Sequence, residues 1–133
     1  MRAPIMLLWI AAAVQLTVCA ANFLLPRILG YRENLSRLSP IVRQIFVAHS
    51  AYLVGVVCFF AVVTLTYPGE LARGRGLGRF LAATIACFWL CRVPVQLLYY
   101  DRDLRRSHRF GDVLFAGSAM FLAAAYGLAA LSR

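Results

Sequence analysis

FWLCRVPVQLLYYDRDLRRSHRF, residues 88–110, sets an arginine, a proline and a glutamine inside an apolar run that closes on two tyrosines and a burst of charge. It reads as the end of one membrane-crossing helix, a short charged loop and the entry to the next. Working outward in both directions gives four apolar runs, residues 4–25, 41–66, 79–100 and 110–131, each long enough for the ~20 residues that a helix needs to cross the hydrocarbon core. Pro26, Gly30, Pro40, Pro68 and Gly69 punctuate the breaks between them as helix stops.

Composition agrees with that reading. Of 133 residues, 62% are hydrophobic and 14% charged, where a soluble domain carries about a quarter; the mean hydropathy is +0.76. The expected fold is therefore an all-α integral membrane four-helix bundle, a single transmembrane domain over 1–133 with both termini on one side. Arg2 followed by an apolar stretch ending in VCA has features of a secretory signal cleaved after Ala20. The apolar run continues to Leu25, however, and Val18 makes a poor lipoprotein site of Cys19, so the segment is read as the first span.

The side holding loops 26–40 and 101–109 carries Arg27, Arg32, Arg37, Arg43, Arg102, Arg105, Arg106 and Arg109, against Arg2, Arg73, Arg75, Arg79 and Arg133 on the terminal side. The positive-inside rule then makes the first side, here called the basic face, cytoplasmic. The formal charge of +9 does not point to nucleic acid, because the arginines are split between two membrane faces, where basic side chains meet anionic headgroups. All 14 basic residues are Arg and none is Lys, which fits the coding of a GC-rich bacterial genome and a bacterial cytoplasmic membrane. GRGLG, residues 74–78, lacks the Lys-Ser/Thr of a phosphate loop and is read as a flexible turn.

The polar residues inside the spans are the candidate site. His49 and Arg92 each lie roughly 12 Å in from the basic-face ends of their runs, at 1.5 Å per residue. Gln44, Gln96, Asn22 and Asp112 fall in the same half of the bilayer, and Arg92, Gln96 and Tyr99 share one stripe of their helix. Pro94 removes a backbone donor and is expected to bend the helix within a turn of Arg92. A central arginine costs ~2.5–3.5 kcal/mol on insertion scales, so Arg92 should face the bundle and find a partner, Asp112 first and Asp101 or Asp103 next. One expectation is a packing tie between the third and fourth spans. The other is a headgroup pocket of Arg92, Gln96, His49, Tyr99, Gln44 and Asn22 for a lipid-like molecule, with the opposite half of the bilayer almost purely apolar and Thr64 and Thr66 near its rim.

Metal chemistry has little to work with. His49 and His108 are the only histidines, a bis-histidine haem would need the third loop to fold inward, and no HExxH motif is present. Cys19, Cys58, Cys87 and Cys91 lie inside spans without a CxxC couple and read as small buried hydrophobes. Ala119, Ala123 and Gly127 recur every four residues, a small-residue ridge for close helix packing.

SPIVRQIFVAHSAY, residues 39–52, and FWLCRVPVQLLYYD, residues 88–101, resemble segments of short four-span bacterial inner-membrane proteins of unassigned function, a likeness that covers most of the chain and implies the fold without an activity. The membrane-associated eicosanoid and glutathione enzymes share the length and span count, but their arginine is followed by Asn and Glu. Here Arg43 is followed by Gln44 and His49, with no Glu in that span, so the glutathione pattern is not met. Three functions fit the sequence: a non-catalytic accessory subunit that packs with other membrane chains or with itself; a binder or carrier of a quinone, isoprenoid or phospholipid among the membrane lipids; and a small membrane enzyme with His49 as acid–base group and Arg92 stabilising an anion.

Overall fold

A computed structural model describes residues 2–99 and 109–132, with side chains described at 4–98 and 109–132. Among the described residues six α-helices follow one another: α1 (Arg2–Ile28), α2 (Tyr31–Ser36), α3 (Pro40–Thr66), α4 (Pro68–Ala72), α5 (Gly76–Pro94), which runs on into a π-helical turn (Val95–Tyr99), and α6 (Arg109–Leu131). The stretches Pro4–Ile28, Pro40–Thr66, Gly76–Leu98 and Arg109–Leu131 are long and apolar enough to cross a membrane. The protein is an all-α integral membrane bundle with both termini on one side.

Local chemistry sets the boundaries, and it moves several of those read from sequence. Pro26 does not stop α1; it occupies the last turn, and the helix ends past Ile28 where Gly30 takes a left-handed conformation at φ 57°. Asn34 Nδ2 then donates to the Leu29 carbonyl at 2.9 Å, meeting one of the acceptors that a helix end leaves open. Pro40 and Pro68 open helices rather than closing them, since a missing N–H is harmless in a first turn. Pro94, whose ring frees the Leu90 carbonyl, is followed by the π-helical turn.

The helices form two antiparallel pairs, α1 with α3 and α5 with α6, joined by α1 against α6. The outer helices α3 and α5 meet through Phe60 and Phe88, edge to face at 5.2 Å. At the terminal face the short helix α4 lies beneath α1, α3, α5 and α6, with Leu71 buried among them. That end is tightly closed. Ser132 Oγ lies 2.9 Å from the Ala72 carbonyl and 2.7 Å from that of Ala129. A Cβ on Gly74 would overlap the Ser132 carbonyl, and one on Gly78 the Glu70 carbonyl. GRGLG is thus a packed corner with positive φ at Gly74 and Gly76, not a flexible turn.

The core fills the terminal half and the middle of the bundle. Buried apolar residues run from Leu8 to Cys19 in α1, Val57 to Ala61 in α3, Ala82 to Trp89 in α5 and Ala119 to Ala130 in α6. Toward the basic face, beyond Cys19, Val57, Trp89 and Ala119, Gln96 alone among the described residues is buried, and residues 40–53 of α3 are exposed on every side except at Ser50. The bundle is closed at its terminal end and opens toward the basic face.

Candidate functional site

In the basic half, α5 and α6 bring together the residues with which the sequence argument began. The Arg92 guanidinium carbon sits 5.6 Å from the centroid of the Phe115 ring, within cation–π range. One turn on, Gln96 Nε2 donates to Asp112 Oδ1 at 2.6 Å. Gln96 is 9% exposed, whereas Arg92 and Asp112 are half-buried. The third and fourth spans are therefore tied by an amide–carboxylate bond and a cation lying on an aromatic face. Asp101 lies outside the described residues, as does Asp103, and so does the Tyr99 side chain.

Asn22, His49 and Gln44 do not join this group. Asn22 Nδ2 donates to the Val18 carbonyl of its own helix at 2.8 Å. His49 is exposed, with Nδ1 2.9 Å from the carbonyl of Ile45 one turn earlier, and Gln44 is exposed as well. Depth from the helix end placed His49 level with Arg92; helix register places it elsewhere. Cys19 and Cys58 face each other across α1 and α3, so His49, nine residues before Cys58, falls opposite Ile28 at the very end of α1. Relative to the Thr64–Tyr126 contact, His49 is fifteen residues back along α3 and Phe115 eleven back along the parallel α6. His49 is therefore roughly 6 Å nearer the basic face than Arg92's perch on Phe115. Sequence gives each helix a length; only the neighbour gives it an offset.

The terminal half is not purely apolar, which corrects the second part of that expectation. Gln15, Thr64 and Tyr126, at 0%, 1% and 0% exposure, form a hydrogen-bonded chain across α1, α3 and α6. Tyr126 Oη lies 2.6 Å from Thr64 Oγ1 and 3.1 Å from Gln15 Oε1, while Thr64 Oγ1 is also 2.8 Å from the Phe60 carbonyl. Two hydroxyl protons cannot serve three such contacts. Either one contact carries no proton, or the Gln15 amide is turned so that its NH₂ donates to Tyr126 and frees the tyrosine proton for Thr64. In both cases one end of the Gln15 amide has no partner, and the Trp89 indole N–H has none either.

These residues carried a legible signal. Gln15 is an amide midway along an apolar run, and Tyr126 stands inside a span rather than in the interfacial belt that aromatics favour. What sequence could not show was that they meet. The small-residue ridge divides: Ala119 is buried, Ala123 packs at the edge of the core, and a Cβ on Gly127 would meet open space. Among the described residues no group of three or more His, Cys, Asp or Glu is placed to hold a metal ion. Protein-family models, curated proteins and solved structures were compared with the chain, and none matches.

Proposed function

We propose that this integral membrane protein is a non-catalytic subunit that packs against a further transmembrane chain through the basic half of α3. The observation that supports the reading is the uncovered stretch 40–53, which carries Gln44 and His49 outward. Ile41, Gln44, Ala48, Ala51, Gly55 and Val62 fall on one outward strip at alternating spacings of three and four to seven residues, and each is exposed. Small residues at that spacing let a second helix backbone approach, and amide or imidazole groups act as interhelical glue in lipid. Left facing acyl chains, the same polar groups are unfavourable.

Photo-crosslinking in native membranes tests this. A photoreactive side chain at position 44 or 51 should yield an adduct with a defined protein, while the same group at lipid-facing Leu90 should label lipid. Lipid-only adducts at all three positions would overturn the subunit reading. A second reading, a binder of a lipid-like molecule, is supported by the half-buried Arg92 in the open half of the bundle. It predicts that the lipids co-purified with the protein change in Arg92→Leu; an unchanged lipid profile would remove it.

A further inference from the structure

No CxxC motif marks the thiol pair of this chain, because its partners, Cys19 and Cys58, lie 39 residues apart on different helices. Cys58 Sγ approaches Cys19 Sγ at 3.1 Å, about 1 Å more than the bonded distance of ~2.05 Å. The two residues differ in access: Cys19 is 5% exposed, while Cys58 is half-buried at the edge of the core on α3. Cys58 also sits next to Val57, the first buried residue of α3, at the point where the packed half of that helix gives way to the uncovered half. A covalent bond there would pin α3 to α1 where the packed half of α3 begins.

We propose that Cys58 and Cys19 form an intramembrane modification site, oxidised to a disulfide by a hydroperoxide dissolved in the hydrocarbon phase. Cys58, the more exposed residue of the two, attacks the outer peroxide oxygen. The O–O bond breaks, the S–O bond of a sulfenic acid forms, and the alcohol leaves carrying one proton. Cys19 Sγ then displaces hydroxide from the Cys58 sulfur, forming the S–S bond and releasing water. In sum, two thiols and one hydroperoxide give one disulfide, one alcohol and one water, with two electrons passing from the sulfurs to the peroxide. Thiols in apolar surroundings are slow nucleophiles, so the reaction is a slow, stoichiometric closure rather than turnover. Cys87 and Cys91, one turn apart on α5 and exposed, provide an internal control, because neighbouring turns of one helix hold their sulfurs in poor geometry for a disulfide.

The test uses the full chain in phosphatidylcholine vesicles, exposed to cumene hydroperoxide, then denatured, alkylated and digested. The expected product is a linked Cys19–Cys58 peptide, sensitive to reductant, in the majority of molecules that react. Cys19→Ala should abolish the link and let a dimedone adduct accumulate on Cys58, whereas Cys58→Ala should leave Cys19 unmodified. A double Cys87→Ala, Cys91→Ala variant should still form the link. Recovery of free thiols at 19 and 58 while Cys87 or Cys91 is oxidised would overturn the proposal, as would a dimedone adduct on Cys19 in Cys58→Ala.

Discussion

Tyr126→Phe is the perturbation that most directly interrogates the buried chain. The phenol oxygen is the central member, lying against Thr64 on one side and Gln15 on the other. Its removal leaves Thr64 able to donate to the Phe60 carbonyl within its own helix, so that residue loses little. Gln15, fully buried, loses the one side-chain partner it has among the described residues. Interhelical hydrogen bonds in membrane bundles average about 0.6 kcal/mol and reach ~1.7, and an amide left unmet in a core adds about 1–3 kcal/mol. Tyr126→Phe should therefore destabilise the bundle by about 2–3 kcal/mol, although its shape and apolar area are nearly unchanged. Removing both polar groups, as in Gln15→Leu with Tyr126→Phe, should recover most of that loss, because replacing both partners of a buried bond by apolar groups is close to neutral. The assay is reversible unfolding in mixed micelles with increasing SDS, followed by circular dichroism, for the wild type, the two single variants and the double. A Tyr126→Phe variant within about 0.5 kcal/mol of wild type, or a double variant as unstable as the sum of the singles, would refute the reasoning.

Three other outcomes follow from the packing. Gly78→Ala should cost at least ~1–3 kcal/mol, because the new methyl meets the Glu70 carbonyl and backbone cannot step aside cheaply, whereas Gly127→Ala should be neutral or stabilising by up to about 1 kcal/mol; thermal unfolding in detergent reads both, and a reversed order would mean that span four uses its ridge after all. Gln96→Leu deletes the bond to Asp112 and should lower stability by about 1–3 kcal/mol, with Gln96→Glu lowering it too through charge repulsion; parity of Gln96→Leu with wild type would deny the tie between α5 and α6. His49→Phe should change the stability of the isolated protein by less than about 0.5 kcal/mol, since the ring is exposed and bonds only its own helix, and a larger loss would mean that the imidazole has a partner within this chain.

The amino-acid sequence by itself determined the class, the number of membrane-crossing helices and their approximate ends, because each depends on the length and continuity of an apolar run and on local turn chemistry. Gly30, past which α1 ends, was legible for that reason. The sequence also put Gln96 and Asp112 in the same half of the bilayer, near the ends of consecutive antiparallel spans, but named Asp112 as the partner of Arg92, and the bond from Gln96 to Asp112 came only with the structure. Which polar residues actually meet was decided by tertiary structure. In lipid, side-chain hydrophobicity scarcely distinguishes one helix face from another, so the offset between helices is set by steric fit: Cys19 against Cys58, Gly78 beneath the Glu70 carbonyl, Gly74 beside Ser132. That fit slides His49 past the end of α1 and buries Gln15, Thr64 and Tyr126 together in the half of the bilayer that composition marked as dry.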